Sequence, residues 1–523
     1  MRMQARRALA IILRDARFDE ASADRHPQMK GDLMKKTTLL LVTLVAVPCL
    51  AQKPGEKESG YPVIGAAVTS ASEVQQTARL PESKLELASS DNRLVEAFDR
   101  AKRQAMGFVF EGDPVGPWYE AAEPGREAFC MRDTAHQAMG AHALGLARHN
   151  LNMLRRFAEA ISDSKDWCSY WEIDRYNRPA PVDYASDAEF WYNLPANFDI
   201  LDCCYRMYVW TGDPAYVNDA AFLNFYDRTV SDYVERWGLG LKDIMRRPRL
   251  LNLRGMVDPN KKFQTARGIP GYNEGDNSYV LGFDVLANQY DAYIAYARIQ
   301  EVRKDYELAG AYLKRAVDLK QFLDTNWWNK EENCYYARLN KDHKVEGRGP
   351  SRLPYDYEGY GGDQDALYTR MLERALPGRS RWDYPEVPFA WIGDFVTRIM
   401  GINLEAAPAG LSAQQGFWVA TVVKTQPGLG SQNVWTELRN LPIRANEVTV
   451  RHEGMRRTVL TNQHGPAVIW QATFEGAHDT LLLNGRPMEA HSGEDASGRV
   501  NSSLRVTISG GGTASVEVAG PEK

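Results

Sequence analysis

The segment Trp171-Glu172-Ile173-Asp174 holds the clearest candidate for acid–base chemistry in the chain. It lies within residues 166–192, a stretch that contains eight aromatic residues. A carboxyl group among aromatic side chains is partly desolvated, which raises its pKa and keeps it protonated near neutral pH. Glu172 is therefore predicted to donate a proton, with Trp171 beside it as a binding surface. The alternative is a surface carboxylate next to core aromatic residues, which needs no function.

Two later segments, both rich in glycine, tyrosine and acidic residues, are candidates to supply a second carboxylate. They are residues 271–279 and 355–365, and their candidate side chains are Tyr272, Glu274, Asp276, Tyr357, Glu358 and Asp363. Glycine lets the backbone approach a ligand closely, and tyrosine with Asp or Glu commonly lines sites for sugars. Each segment runs into a predicted helix, so Asp276 or Asp363 could also serve only as a helix cap.

A third group of polar residues, Arg132, Asp133, His136 and Gln137, opens a predicted helix. Asp133 followed by Thr134 is also a plausible N-cap, which would be a purely structural role. An Arg-Asp pair, with His and Gln one turn later, places several hydrogen-bonding groups at one helix end, facing the long segment before it. Sets of this kind bind sugar hydroxyl groups through paired hydrogen bonds.

Motif searches and net charge exclude several other kinds of chemistry. The chain has no HExxH, no P-loop, no GxGxxG after a strand and no GxSxG, and its acidic loops lack EF-hand spacing. Four of the nine histidines lie in the C-terminal region of strand-like pattern, so we expect no metal and no cofactor. With 63 Lys and Arg against 68 Asp and Glu, the net charge of -5 argues against a nucleic-acid partner.

The elements that must position these residues are helices. From Asp91 to about Ile402 apolar residues recur with a helical period, in nine segments: 93–110, 134–147, 151–161, 198–210, 215–237, 282–302, 306–328, 364–376 and 387–400. Short joints such as 210–214, where Gly212 stops one helix and Pro214 starts the next, predict antiparallel helical pairs. Long irregular stretches separate the pairs and carry the aromatic and acidic residues: 112–132, 166–195, 239–281 and 333–363.

After about Gln415 the apolar residues follow a period of two, which indicates strands. The clearest segments are 448–452, 458–461, 468–474, 480–483 and 504–508, and Asn484-Gly485 provides a hairpin turn. The pattern predicts a small C-terminal β-sandwich over residues 411–523 with a structural role. It follows a mainly α-helical domain over residues 91–410.

With these features the chain resembles the six-hairpin, (α/α)6-toroid glycoside hydrolases, a group that includes glucoamylase-like, trehalase-like and rhamnosidase-like enzymes. The start of the helix at Arg132-Asp133 is similar to the Arg-Asp element with which these enzymes hold the terminal sugar. Trp171-Glu172 looks like a glucoamylase-type acid loop. The resemblance covers about residues 91–402. The chain departs from the group in showing nine clear helices rather than twelve, so that three weak helices lie in the long segments or the barrel is incomplete. Its β module also follows the toroid, whereas many members carry it before.

The resemblance implies an exported, exo-acting glycosidase with a carbohydrate substrate. Arg132, Asp133 and His136 would hold the terminal sugar, and Glu172 would protonate the leaving oxygen. The base would come from a later loop, which favours Glu358, with Glu274, Asp276 and Asp363 as alternatives. Arginines near the loops would suit a uronic acid such as glucuronate: Arg126, Arg132, Arg175, Arg178 and Arg267.

Two other functions fit the same residues. A toroid followed by a β-sandwich is also the layout of several uronate lyases. There, Tyr272 or His136 would abstract a proton, while Asn193, Asn197 or an arginine would neutralise the substrate carboxylate. The third possibility is a non-catalytic glycan-binding protein, which would not need three acidic loops. The oligomeric state is left open.

The beginning of the chain has the features of a secretory signal peptide. Met34-Lys35-Lys36 precedes a short apolar run, 39–47, that is too short to span a bilayer. We predict a signal peptide over 34–51, an upstream leader over 1–33 and a linker over 52–90. The protein is then periplasmic or secreted, with no transmembrane anchor, and Cys49 follows a poor lipidation sequence. The other cysteines lack metal-binding spacing, and most are predicted to be buried free thiols.

Overall fold

The computed structural model describes residues 81–247, 267–273, 279–353, 364–376, 381–406, 421–494 and 498–520. Within these ranges lie nine helices of nine or more residues: α1 (Asn92–Met106), α2 (Met131–Ala143), α3 (Ala147–Glu159), α4 (Ala196–Thr211), α5 (Ala220–Val230), α6 (Phe283–Val302), α7 (Tyr306–Asn326), α8 (Gln364–Arg374) and α9 (Glu386–Asp394). Each overlaps one of the nine predicted segments. The segment 215–237 is divided, because a short helix, Ala215–Asn218, ends at Asp219, which caps α5 through the backbone NH of Ala221.

The helices are arranged in an inner row and an outer layer. Helix α9 packs on α2, α2 on α4, and α4 on α6. Most residues of α2, α4 and α9 are buried, whereas α1, α3 and α7 bury a smaller share of their residues, as expected for helices that cover a core. Outer helices α1, α3 and α7 pack on α9, α2 and α6, respectively. Inner and outer positions alternate from α1 to α7, which is the order that helical hairpins produce.

The close crossing of α2 and α9 depends on two glycines. A Cβ atom on Gly140 would lie 1.9 Å from the carbonyl oxygen of Phe389, and one on Gly393 would lie 3.2 Å from the backbone N of Gly140. The absence of side chains therefore lets the two backbones touch. Gly140 lies about one turn after His136, so this crossing brings the start of α9 next to His136.

We expect Gly140→Ala to destabilise the protein by about 1–3 kcal/mol, the usual cost of overpacking a core. The new methyl group would overlap a backbone carbonyl, so α9 must move away from α2. Urea unfolding would measure the change, with Gly310→Ala in α7 as the control, because a Cβ atom there meets nothing within 4 Å. Equal stability of Gly140→Ala and the unmodified protein would show that the crossing is not tight.

Twenty-four strands lie in the described ranges. They are β1 (Glu86–Ser89), β2 (Val109–Phe110), β3 (Trp118–Tyr119), β4 (Ala128–Cys130), β5 (Glu172–Asp174), β6 (Tyr184–Ser186), β7 (Glu189–Phe190), β8 (Tyr192–Asn193), β9 (Arg267–Ile269), β10 (Tyr279–Gly282), β11 (Trp328–Asn329), β12 (Cys334–Asn340), β13 (Val345–Arg348), β14 (Asn403–Ala406), β15 (Thr421–Thr425), β16 (Trp435–Ile443), β17 (Asn446–Glu453), β18 (Arg457–His464), β19 (Val468–Glu475), β20 (Thr480–Leu483), β21 (Arg486–Glu489), β22 (His491–Glu494), β23 (Val500–Ile508) and β24 (Thr513–Val518).

The long segments between the helices are tied down by small sheets. Strand pairs β2–β3, β4–β5, β6–β7 and β8–β9 each form a two-stranded sheet, and β10 to β13 form another of four strands. The described parts of these segments therefore hold short strands and a short 3-10 helix, Ile244–Arg246, where weak helices were one expectation. The pair β4–β5 matters most for function, because it places Cys130 opposite Glu172 and so fixes the start of α2 beside Trp171.

The C-terminal strands form two larger sheets. One has seven strands in the order β1-β16-β17-β18-β24-β20-β21, and the other has five in the order β14-β15-β19-β23-β22. Buried and partly exposed residues alternate along β17 and β19, as the period of two predicts. The edge strands β1 and β14 come from the predicted linker and the predicted helical domain. Buried residues of both sheets, such as Val450 and Trp470, belong to the same core as the helices.

Five of the six cysteines lie among the described residues. Cys130, Cys168, Cys203, Cys204 and Cys334 are buried free thiols, which confirms that prediction. Among the described residues, no helix is long and apolar enough to cross a membrane. The predicted signal peptide and Cys49 lie outside the described residues.

Candidate active site

The N-terminal turns of the inner helices α2, α4, α6 and α9 border two adjoining cavities. Each cavity has a volume of about 580 Å³, and both are lined by His136 and Arg206. We call the first the aspartate cavity, after Asp199, Asp202, Asp284 and Asp291 in its lining. We call the second the arginine cavity, after Arg206, Arg374, Arg381 and Arg398 in its lining. Volumes of this size are typical of sites for small ligands.

The acids of the aspartate cavity lie on polar stripes of two helices that are otherwise largely apolar. Residues three, four and seven positions apart share one face of an α-helix. The stripes are Asp199, Asp202 and Arg206 on α4, and Asp284, Asn288 and Asp291 on α6. Since α4 packs on α6, the two stripes face a common space. Residues of both stripes line the aspartate cavity.

His136 and Glu386 form a direct pair where the two cavities meet. His136 Nδ1 lies 2.6 Å from Glu386 Oε1, and the two side chains are 30% and 23% exposed. Burial disfavours a charged imidazole, but the hydrogen bond to Glu386 and the charges of Glu386, Asp199 and Asp133 together outweigh it and raise the pKa of His136. Burial likewise opposes ionisation of Glu386, yet the pKa of this carboxyl is lowered by the hydrogen bond and charge of His136. Glu386 is therefore held ionised.

Asp199 has the opposite electrostatic environment. Its carboxylate accepts hydrogen bonds from the Tyr272 hydroxyl and from Asn288 Nδ2. Burial raises the pKa of Asp199 to about 6, although the His136 charge and the Tyr272 hydrogen bond oppose the rise. A carboxyl with this pKa is substantially protonated in mildly acidic solution. In the same cavity, burial and the charge of Asp202 raise the pKa of Asp291 to about 8.

Asp199 and Glu386 are thus two carboxyl groups of one site whose pKa values are moved in opposite directions. Each interacts electrostatically with His136, and they lie on α4 and α9, the two helices that flank α2. Environments that separate the pKa values of two carboxyl groups are the usual basis for assigning one as acid and the other as base or nucleophile. The arrangement can therefore perform acid–base catalysis on a ligand bound near His136.

Aromatic and cationic side chains form the wall next to this pair. The guanidinium carbon of Arg132 lies 5.2 Å from the centre of the Tyr272 ring and 6.0 Å from that of Trp171. The Tyr272 backbone NH donates to Asp284 Oδ2 at 2.6 Å, which fastens the segment that carries this ring to the first turn of α6. Such walls suit a ligand with both apolar faces and polar edges.

No protein-family model matches the chain, and no curated protein matches it. Similar solved structures include an α-L-rhamnosidase from Dictyoglumus thermophilum (12% identity, 83% of this chain and 50% of that chain, TM-score 0.46). An α-L-rhamnosidase from Aspergillus terreus has the same identity and TM-score, over 82% of this chain and 50% of that one. A cellobiose 2-epimerase from Bacillus thermoamylovorans B4167 is 12% identical over 60% and 74%, with a TM-score of 0.32. The chain spans about half the length of these rhamnosidases.

Of the residues predicted at the start of α2, two line or border the cavities and two are internal. His136 lines both cavities, and Arg132 contacts Tyr272 as described. Asp133 is fully buried and accepts a hydrogen bond from the Tyr384 hydroxyl at 2.5 Å, which holds the segment before α9. Gln137 is also buried, and its Nε2 donates to the carbonyl oxygen of Glu120 at 3.1 Å. These two residues support the site from inside the protein.

The structure places the Glu172 carboxyl in the protein interior, within hydrogen-bond distance of Arg126. It is 1% exposed on β5, and Arg126 Nη1 lies 2.9 Å from its Oε2 atom. Burial, together with Asp183 beside it, raises the pKa of Glu172 to about 9, although Arg126 opposes the rise. Desolvation of this carboxyl was the reason for selecting it from the sequence. Glu172 is not among the residues that line either cavity.

The remaining predicted residues are either outside the described ranges or committed to other contacts. Outside lie Glu274, Asp276, Tyr357, Glu358, Asp363 and the side chain of Arg267. Arg175 pairs with Asp113 and Glu127, and Arg178 with Asp174. The buried asparagines named for a lyase serve the fold: Asn193 donates to the Gly271 carbonyl at 2.8 Å, and Asn197 to the Trp167 carbonyl at 3.0 Å.

Sequence reasoning missed Asp199, Glu386 and the other cavity acids. Each of these two occupies the first turn of a helix, where an acidic residue is expected to interact with the helix dipole and attracts no notice. The detectable signal was the polar stripe along an otherwise apolar helix. Among the described residues, no group of three or more His, Cys, Asp or Glu is arranged to hold a metal ion.

Proposed function

We propose that the protein is an exo-acting glycoside hydrolase that removes a terminal sugar from an oligosaccharide or polysaccharide. The observation that supports it is the pair Asp199 and Glu386 around His136, one carboxyl with a raised pKa and the other with a lowered one. Two carboxyl groups in these states are what glycoside hydrolysis requires. Cavities of about 580 Å³ suit the end of a sugar chain.

In this proposal Asp199 is the acid and Glu386 the base or nucleophile. As the bond between the anomeric carbon and the leaving oxygen breaks, that oxygen takes the proton of Asp199. Glu386 either takes a proton from the attacking water or attacks the anomeric carbon, in which case water later cleaves the ester. Carboxyl separations of about 5 Å give retention of configuration and about 6.5–9.5 Å give inversion. His136 keeps Glu386 ionised and oriented, and Arg132, Trp171 and Tyr272 bind the sugar.

The cellular setting and domain plan belong to the same proposal. Residues 34–51 direct export and 1–33 precede the signal, so the protein acts in the periplasm or outside the cell. Residues 91–410 form the catalytic helical toroid, and residues 411–523 form a β-sandwich that supports it. The support for this plan is the change from helices to sheets along the chain. Strands β1 and β14, from outside residues 411–523, complete the edges of the two sheets.

Asp199→Asn tests the acid role directly. We expect kcat/KM to fall by about 10²–10⁴ for glycosides with poor leaving groups, the usual contribution of general acid catalysis. The leaving group of a dinitrophenyl glycoside needs little protonation, so kcat/KM for these substrates should fall much less. Asp99→Asn, at an exposed position of α1, is the matched control. Asp291→Asn tests the other carboxyl group of the cavity with a raised pKa. Unchanged turnover of poor substrates by Asp199→Asn would remove this residue from the acid role.

The pH dependence provides a second test. Since the proton of Asp199 must be present, kcat/KM of the unmodified protein should fall above pH 6, close to the pKa of about 6, by tenfold per unit at most. This fall in kcat/KM with rising pH should be absent when Asp199→Asn acts on dinitrophenyl glycosides. A lyase would instead release an unsaturated product with ultraviolet absorbance, and its appearance would refute hydrolysis.

A further inference from the structure

The arginine cavity carries positive charge next to the proposed catalytic pair. Its lining includes Arg206, Arg374, Arg381 and Arg398, against two carboxylates, Glu386 and Asp394. Arg206 pairs with Asp202 at 2.7 Å and its side chain is 43% exposed. Arg381 approaches Glu123 at 3.3 Å and is 61% exposed. Arg381 also lies 3.9 Å from Asp383. Since a guanidinium has five N–H donors, these carboxylates do not exhaust the capacity of either arginine to bind an anion.

These arginines stand on elements that are fastened to one another. The Trp382 Nε1 atom donates to the carbonyl oxygen of Arg374 at 2.8 Å, and Trp391 Nε1 donates to that of Met371 at 3.0 Å. The Trp391 ring also stacks on Phe395 at 5.7 Å, one turn before Arg398. Helix α8 and the end of α9 are therefore held together by buried indole rings. The backbone positions that carry these arginines are therefore fixed relative to one another, which reduces the entropy lost when a ligand binds between them.

The aspartate cavity has no comparable cluster of arginines. Four aspartates and one arginine, Arg206, are present in its lining together with His136. Its carboxyl groups, ionised or protonated, can form hydrogen bonds with sugar hydroxyl groups, but they offer no positive charge to an anionic group. The two adjoining cavities therefore discriminate between the charged and uncharged parts of one ligand.

We propose that the substrate is an anionic carbohydrate whose carboxylate or sulfate group binds in the arginine cavity, beside Glu386. This inference rests on the proposed glycosidase function. It assigns anion recognition to Arg374 and Arg381 together with Arg206 and Arg398, a different set from the arginines near the loops. Arginine is suited to this task, because its planar fork binds carboxylate and sulfate oxygens in pairs. The uncharged hydroxyl groups of the same sugar chain bind on the side of Asp199 and Asp291.

Calorimetric titration with glucuronate, glucose 6-sulfate and glucose tests this inference without any turnover. The unmodified protein should bind one or both anionic sugars at least tenfold more tightly than glucose, and the tighter of the two identifies the anionic group. Arg381→Gln and Arg374→Gln should each weaken anion binding about tenfold and leave glucose binding unchanged. Arg370→Gln, on α8 but outside the lining of both cavities, is the matched control and should change neither.

The possible results separate this inference from the proposed function. Equal affinity for glucose and for the anionic sugars, or equal loss of both in Arg381→Gln, would overturn the anion site. Hydrolysis of neutral glycosides that depends on Asp199 would then leave the glycosidase proposal standing. Selective anion binding without hydrolysis of any glycoside would keep the arginine site and refute the glycosidase proposal.

Discussion

Glu386→Gln is expected to lower kcat by about 10²–10⁴ for glycosides with good and poor leaving groups alike. The reason is that a base or nucleophile is needed whichever group departs, whereas a proton donor is needed only for poor leaving groups. Steady-state kinetics on a dinitrophenyl glycoside and an alkyl glycoside of the same sugar would measure both effects. The kcat of Glu386→Gln should be low for both substrates, whereas that of Asp199→Asn should be low mainly for the alkyl glycoside.

A readout other than activity shows whether the variant acts as intended. The hydrogen bond to Glu386 and the charge of this carboxylate raise the pKa of His136, so Glu386→Gln should lower the pKa of this histidine, measured by NMR titration of its ring. Glu331→Gln, at an exposed position after β11, is the matched control for carboxyl loss. Retention of more than one-tenth of the activity on both substrates, with the shift of His136 present, would show that Glu386 is not the base.

The helices and the C-terminal strands were predictable because long, regular patterns specify them. Helix α6 repeats its apolar residues over Phe283–Val302, and β17 alternates over Asn446–Glu453. The small sheets of the long segments were not predictable, since two-residue strands such as β2 and β8 show no period. Strands β1 and β14 were missed for a different reason: each pairs with a strand of the C-terminal sheets. The partner of β1, β16, lies far away in the chain, whereas the partner of β14, β15, lies close to it.

The candidate site divides in the same way. Arg132, His136 and Tyr272 were selected from polar clusters in the sequence, and the structure brings them together around the two cavities. Asp199 and Glu386 were not selected, because an acid in the first turn of a helix has an ordinary structural explanation. Asp199 and Glu386 lie in one site only because their helices both pack on α2. The packing of α9 on α2 depends on the Gly140–Gly393 crossing, which no local sequence pattern predicts.

Glu172→Gln is expected to remove a pH dependence of stability. The pKa of Glu172 is raised to about 9 in the folded protein, chiefly by burial, and an unfolded chain ionises Glu near 4.3. Between these values the unfolded chain releases a proton that the folded protein keeps. The free energy of unfolding therefore decreases as pH rises through this window, by ~1.4 kcal/mol per unit at most.

Urea unfolding of both proteins at several pH values between 5 and 9, a window set by the pKa of about 9, measures the effect. The stability of the unmodified protein relative to Glu172→Gln should be greatest at the acidic end and decline toward the alkaline end. Glu235→Gln, at an exposed position, should run parallel to the unmodified protein. A relative stability that stays constant over this window would mean that Arg126 keeps Glu172 ionised, so that the ion pair outweighs burial.

Kinetics on the same variant decide between the two candidate acids. If Glu172 protonates the leaving oxygen, as its sequence context predicts, Glu172→Gln abolishes turnover of alkyl glycosides and spares dinitrophenyl glycosides. We expect this behaviour from Asp199→Asn instead, because Asp199 lines the cavity and Glu172 is 1% exposed. A protonated, buried Glu172 resembles glutamine in shape and charge, so its replacement should leave kcat/KM within about threefold. A raised pKa is thus common to Glu172 and Asp199. Only access to the cavity distinguishes the proposed catalytic acid from a buried carboxyl group with a structural role.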